Sequence, residues 1–406
     1  MLPMSASAVR EPVRDLPACA AERASIVVGV TSHETCHALK GRLKALREAG
    51  FRVTLVCRHG PLFDRIAADE KVESIAIPMK REIAPLSDLI SLFRIWRVLR
   101  RLRPDLAEFG TPKAGLLGTI AARLCGVPRR IYMLRGLRLE TATGFKRRVL
   151  WAAEKMAAGC AHVVLCNSES LRAQALALGV APADKLHLLG EGSSHGVDTE
   201  RYSPGESDVR VRYGLPPDAK VVGFVGRLTR DKGVPELVEA FDAIVQAEPK
   251  AHLLLVGWFD ASDDLLGKDV RVKIESHPHI HLTGYQESAA PFYRAMDLMV
   301  LPTWREGFPN VVLEAAATGI PVVTTISTGS RDSVVPEVTG LLIPPGYPEA
   351  ISEAVVKLLR DPEQRLRMGQ AARAWVMEHF NDEHVLGLTA AYYKGMMTPL
   401  AQGAGY

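Results

Sequence analysis

Short runs of apolar, often β-branched residues recur along the chain, spaced widely enough to leave room for a helix between them. SIVVGVT (25–31), RVTLVCR (52–58), VESIAIP (72–78), RIYMLRG (130–136) and HVVLCNS (162–168) predict strands in the first half. KVVGFVGRL (220–228), AHLLLVGW (251–258), HIHLTGY (279–285), DLMVLPT (297–303) and PVVTTIS (321–327) do so in the second. Amphipathic stretches separate several of them, such as CHALKGRLKALREAG (36–50), whose Gly50 suits a helix C-terminus. This alternation marks βαβ units in a parallel sheet, and its two series predict two α/β domains, each a Rossmann-like, doubly wound parallel sheet. The pattern lapses around DTERYSPGESD (198–208). The expected organisation is a tail (1–24), a first domain (25–200), a linker (201–216), a second domain (217–380), and a C-terminal helix and tail (381–406) crossing back to the first. Ligands of such sheets bind at the carboxyl ends of the strands, so both domains should face a central cleft.

Composition supports two large cores: 406 residues, 47% hydrophobic and 24% charged, suit soluble globular domains. No apolar run approaches the roughly 20 residues of a membrane span, and the first 24 residues lack the apolar centre of a secretion signal. Six cysteines show no CxxC pair or metal-ligand spacing, which predicts reduced thiols and a cytoplasmic protein without structural disulfides. The net charge of +4 hides an asymmetry. Residues 1–205 hold 31 Lys and Arg against 20 Asp and Glu, and the remainder 19 against 26. A basic first half calls for an anionic partner.

Two strings carry candidate chemistry. In EGFPNVVLE (306–314), Glu306 follows a strand and Pro309 suits the first turn of a helix expected to reach Gly319, with Glu314 more than one turn inside it. Backbone N–H groups around Phe308, Asn310 and Val311 would be free to receive a phosphate at the positive helix end. The flanking carboxylates could accept hydrogen bonds from sugar hydroxyls without a shifted pKa. In VVGFVGRLTRDKG (221–233), a strand runs into a turn bearing Arg227 and Lys232, two cations suited to a diphosphate. Gly223 and Gly226 do not form GxGxxG, which counts against a dehydrogenase.

Arg227, Lys232, Glu306 and Glu314 stand in the order and context of glycosyltransferase family 4, which residues 25–380 resemble. The resemblance implies a GT-B fold and transfer with retained anomeric configuration. It implies that Gly226, Arg227 and Lys232 bind the donor diphosphate, with Arg227, Lys232 and Glu306 in the catalytic set. Glu306 would contact the transferred sugar, Gly307, Phe308, Asn310 and Val311 would line the donor site, Glu314 would hold the ribose, and Tyr285 would lie near the base. The donor is expected to be UDP-linked, with no other cofactor and no metal.

The acceptor falls to the first domain, where Lys113 and Arg135 are the candidates. Many family members carry a His in the segment equivalent to YMLRG; here Tyr132 and Arg135 stand there. A second departure is Asp332, usually a Glu. The RGL and GSSHGVD strings look like the subgroup that builds capsular and lipid-carrier-linked bacterial glycans, so a lipid-diphosphate-linked saccharide is the expected acceptor. LSDLISLFRIWRVLRRLRPD (86–105) predicts a helix with Leu89, Leu92, Phe93, Trp96 and Leu99 on one stripe and Arg94, Arg97 and Arg101 on another. With Arg129, Arg130 and Lys146–Arg148, it makes an anionic membrane surface a further expected partner, on the inner face of the cytoplasmic membrane. Nucleic acid is not expected, since the basic residues lack interleaved aromatic positions. A GT-B sugar-nucleotide epimerase and a non-catalytic nucleotide-sugar-binding protein are the alternatives.

Overall fold

The computed structural model describes residues 23–80, 82, 84–260 and 266–397. Most of the expected tail, with Cys19, lies outside the described residues, and the five described cysteines are free thiols.

Seven strands form the first sheet: β1 (Ser25–Gly29), β2 (Arg52–Cys57), β3 (Glu73–Ala76), β4 (Leu106–Gly110), β5 (Arg129–Leu134), β6 (Val163–Cys166) and β7 (Leu186–Leu188). Six form the second: β8 (Lys220–Val225), β9 (Ala251–Val256), β10 (Ile280–Leu282), β11 (Leu298–Leu301), β12 (Val322–Thr325) and β13 (Gly340–Ile343). The orders are β3-β2-β1-β4-β5-β6-β7 and β10-β9-β8-β11-β12-β13, with every described pairing within the two sheets parallel. Each order reverses direction once, between β1 and β4 and between β8 and β11, and such switch points open a crevice at the strand ends. Central strands buried on both faces explain the unbroken apolar runs such as Leu253–Leu255 and Leu298–Leu301.

The expected strands overran by two or three residues at several carboxyl ends. RIYMLRG stops pairing at Leu134 and KVVGFVGRL at Val225, because Gly136 (φ 125°) and Gly226 (φ 147°) turn the chain into the cleft. Three strands had not been expected: β4, β7 and β13. The run CHALKGRLKALREAG is two elements: a 3-10 turn, His33–Leu39, and a helix, Arg42–Glu48, separated at Gly41 (φ 74°). The helix start is capped from a distance, since the Glu70 carboxylate accepts from the N–H groups of Gly41 (2.6 Å) and Lys44 (2.7 Å).

The stretch expected as a linker is only partly one. A short helix, Val209–Arg212, buries Val209 in the second core, and Arg210 donates to Ala295 O and Ala219 O and pairs with Asp297. At the other end the helix Pro362–His379 ends in a crossover where Val197 N donates to Phe380 O and Asp382 N to Val197 O. The helix Asp382–Met397 then packs on the first domain, burying Tyr393 in that domain's core.

Candidate functional site

The loops that follow β1, β4, β5, β8 and β11 meet in a cavity of about 220 Å³ between the two sheets. One wall is the turn after β8. Gly226 brings its backbone against Gly257, where a side chain would overlap the Gly226 oxygen. Arg227 reaches the cavity with its Nη1 2.5 Å from Asp260 Oδ2, and burial, which opposes its charge, is outweighed by that bond together with the charges of Asp231, Asp260 and Glu306. A 3-10 turn, Arg230–Lys232, closed by Gly233 (φ 72°), points Lys232 Nζ at the Glu306 carboxylate. Arg305, unforeseen in the sequence, pairs with Asp231 at 3.0 Å. Burial works against the Asp231 charge, but Lys232, the Thr229 hydroxyl, Arg305 and Arg227 together hold its pKa below the ordinary value.

The helix Asn310–Ala317 begins one residue later than expected, with Pro309 at its cap and Gly319 (φ 84°) just beyond its end. Among the described residues, none accepts a hydrogen bond from the N–H of Gly307, Phe308, Asn310 or Val311, leaving an anion-receptive helix end. The Asn310 side chain does not face this end. It donates to Gly196 O (2.8 Å), meets His195 Nε2 (3.0 Å) and accepts from Ser193 Oγ (3.3 Å), tying the helix to the first domain.

Glu314 departs from the expectation of an unshifted pKa. Burial, only partly offset by hydrogen bonds from Tyr293 (2.9 Å) and Tyr202, pushes it up to about 7. Tyr285 is exposed and meets Trp258 edge to face, with ring centroids 5.2 Å apart. These rings follow β10 and β9 and form an aromatic corner, with Trp258 lying past the end of β9 rather than inside the strand.

The facing wall comes from the first domain. Thr111, Arg135, Gly136 and Arg138 line it. Arg135 is half-buried, donates Nη1 to Ser194 Oγ at 2.6 Å, and leaves its buried Nε and Nη2 without partners. Tyr132 is core: its hydroxyl donates to Glu154 at 2.5 Å, and its ring fills the space beside Gly115. Lys113 turns away from the cavity, pairing with Asp88 at 2.7 Å and donating to Glu82 O, so the structure does not bring it to the site with Arg135.

The walls touch. A side chain at Gly307 would overlap the Arg135 carbonyl oxygen, which explains why two glycines face each other there. Thr328 Oγ1 donates to Glu140 at 2.6 Å and Arg305 Nε to Thr141 Oγ1 at 3.0 Å. Asp332 Oδ2 accepts from the Ser170 N–H (3.0 Å) and hydroxyl (2.5 Å), so the shortened carboxylate joins the two domains. The result is a cleft-like site with cations on both walls, a free helix end beside it, and two carboxylates directed at different places. Such a constellation can stabilise negative charge that develops on a leaving diphosphate.

The helix 85–102 also differs from the expected stripe. Ser91, Ile95 and Leu99 are its buried positions, whereas Leu86, Leu89, Ile90 and Phe93 are each more than half exposed. Phe145, ahead of Lys146, Arg147 and Arg148 on the helix Gly144–Cys160, is exposed too. Among the described residues, no helix is long and apolar enough to cross a membrane.

Residues 16–192 match the family described as a glycosyl transferase 4-like domain, and residues 219–361 the family described as glycosyl transferases group 1. The capsular polysaccharide biosynthesis glycosyltransferase CapM of Staphylococcus aureus is 36% identical over 87% of this chain and 92% of its own length. The UDP-Gal:alpha-D-GlcNAc-diphosphoundecaprenol alpha-1,3-galactosyltransferase of Escherichia coli is 27% identical over 82% and 86%. Among solved structures, Anabaena HepE in complex with UDP-glucose superposes with a TM-score of 0.75 at 19% identity, over 92% of this chain and all of that one.

Proposed function

The chain belongs to the glycosyl transferases of group 1 with the two-domain GT-B fold, and from that we propose that it moves a hexose or N-acetylhexosamine from a UDP-sugar to a lipid-diphosphate-linked saccharide or related bacterial glycan. The observation that carries this reading is the convergence of Arg227, Lys232, Glu306 and Gly307 in one cavity, with the free N-terminal end of helix Asn310–Ala317 following closely on Gly307 in the chain. Each group has a distinct task. Arg227 and Lys232 receive the diphosphate, exchanging their present carboxylate partners for phosphate oxygens. The helix end adds N–H donors, and charge building on the leaving oxygen is met by groups already in place. Glu306, released from Lys232, accepts from hydroxyls of the transferred sugar. Glu314 accepts from the ribose, and Tyr285 with Trp258 packs against the base.

Retention follows in this reading from attack on the face the diphosphate leaves, with the departing phosphate oxygen taking the acceptor proton. No protein carboxylate then serves as nucleophile, in contrast to a retaining glycosidase. A UDP-linked donor is supported by the UDP-sugars named in the E. coli relative and in the HepE complex, and a lipid-diphosphate acceptor by the name of the former. The exposed Leu86, Leu89, Ile90 and Phe93 beside Arg94 and Arg97, with Phe145 and its three basic neighbours, suit insertion at an anionic cytoplasmic leaflet.

Purified protein offered UDP-sugars and lipid-diphosphate saccharides should release UDP and give a product with the donor's anomeric configuration. Release independent of acceptor, an epimerised sugar, or an inverted product would overturn the reading in whole or in its stereochemistry.

A further inference from the structure

The first-domain wall of the cavity holds buried positive charge that the protein does not balance. Arg42 and Glu108, both 1% exposed, pair at 2.7 Å. Tyr393, from the C-terminal helix, donates to Glu108 and accepts from Arg42 at 2.8 Å. Glu108 therefore already has a guanidinium partner. Arg135, close enough to feel both Arg42 and Glu108, makes no ion pair with a carboxylate of its own. Its hydrogen-bond partner, Ser194 Oγ, also accepts from Asn167 Nδ2 at 2.9 Å, and its Nε and Nη2 have neither a partner nor access to solvent. His195 contributes no charge, since burial, then Arg135, brings its pKa to about 3. Burial and repulsion from Arg42 lower the Arg135 pKa to about 10, which leaves it cationic at neutral pH.

Uncompensated buried charge is costly, and removing one partner of a buried pair is strongly destabilising. Three cations of the opposite wall are treated differently: Arg227 rests on Asp260, Lys232 on Glu306 and Arg305 on Asp231. Arg135 Nε lies against the end of β4, where a side chain at Gly110 would come within 3.2 Å of it. Two residues later the helix Pro112–Leu124 begins, and among the described residues none accepts from the Lys113 N–H in its first turn. A guanidinium fork beside a helix N-terminus suits an oxyanion with at least two free oxygens.

Resting on the donor assignment above, we propose that Arg135, with the N-terminal end of helix Pro112–Leu124, receives an oxyanion of the acceptor, of the phosphate or diphosphate class. The donor diphosphate occupies the opposite wall, so the two anions sit on separate sets of donors. The Arg135 backbone packs against Gly307, so the acceptor anion and the donor meet where the two walls touch.

Calorimetric titration of inorganic pyrophosphate into protein saturated with UDP isolates this site from the donor site. The wild type is expected to bind pyrophosphate, Arg135→Gln to bind it at least tenfold more weakly, and Arg135→Lys to recover part of the loss. UDP affinity, measured on the same samples, should stay within threefold and reports that the variants are folded. No pyrophosphate binding by the UDP-saturated wild type, or equal binding by Arg135→Gln, would overturn the assignment. A second arm compares UDP-glucuronate with UDP-glucose. If Arg135→Gln erases a preference for the glucuronate while pyrophosphate binding is unchanged, the anion belongs to the transferred sugar and the acceptor assignment fails. Absence of UDP binding by the wild type would overturn the donor reading itself, a result told apart by the UDP titration.

Discussion

Glu314→Gln should move stability and nucleotide binding in opposite directions, and the pH dependence of each follows from one shift. Burial raises the Glu314 pKa from the ordinary 4.5 to about 7. Between those values the folded chain binds a proton that the unfolded chain has lost, so stability falls as pH rises through the window. The difference of roughly 2.5 units corresponds to about 3 kcal/mol, fully lost above pH 7. Glutamine keeps the neutral shape and avoids the cost of ionisation, but it forfeits one tyrosine bond worth about 1 kcal/mol. At pH 8 the variant should therefore be about 1–2 kcal/mol more stable than the wild type, and at pH 4.5 no more stable. Binding runs the other way in the proposed reading, where an ionised Glu314 carboxylate accepts from both ribose hydroxyls. With a pKa near 7, the ionised fraction drops about tenfold from pH 8 to pH 6, and wild-type UDP affinity should weaken by nearly that factor. Glu314→Gln should bind UDP more weakly at pH 8 and lack this component. Denaturant melts and calorimetry at pH 5, 6, 7 and 8 measure both, and subtracting the variant removes the titration of the nucleotide's own phosphate. A wild-type-minus-variant difference that stays flat in both quantities would refute the reasoning.

Three further outcomes test the interfaces of the site. Asp332→Ala strands the Ser170 N–H and hydroxyl at the domain contact and should destabilise the closed form by about 2–3 kcal/mol, seen as a larger radius of gyration in X-ray scattering; an unchanged radius would count against it. Gly307→Ala puts a methyl group into the Arg135 carbonyl and should reduce transfer at least a hundredfold with little change in melting temperature; full activity would show that the walls do not need to touch. Leu89→Ser with Phe93→Ser should weaken co-sedimentation with anionic vesicles at least tenfold while leaving UDP affinity unchanged, since both side chains are exposed and far from the donor groups; unaltered co-sedimentation would remove the membrane from the account.

Legibility in the sequence followed the locality of the interactions. EGFPNVVLE and GRLTRDKG could be placed because a strand end, a turn and a helix start carry their groups within a few residues of each other. Both strings line the same cavity or its immediate helix. β4 escaped notice because LAEFG has a charge at its centre. Glu108 is tolerated there only because Arg42 and Tyr393, remote in sequence, converge on it. The buried face of helix 85–102 was misassigned for a related reason: apolar residues occur nearly all round it, so Ser91, hydrogen-bonded to Pro78 O, goes inward while Leu89 and Phe93 stay out. Asn310 was rightly placed at the helix start, yet its side chain serves the domain contact, a role set by His195 and Gly196 from the other domain. Lys113 could not be separated from Arg135 by sequence, because its partner Asp88 lies on a neighbouring helix. Trp258 joins the site only through its edge-to-face contact with Tyr285, which follows a different strand.

The central claim is that Lys232 and Arg227 act on the diphosphate as it leaves. Single-turnover release of UDP from a bound UDP-sugar, compared between wild type and Lys232→Ala with donor affinity measured alongside, tests it most directly. Loss of a positioned donor to developing charge should slow release by about 100- to 1,000-fold, with donor affinity reduced far less. Release at the wild-type rate from a site that still binds donor would contradict the account.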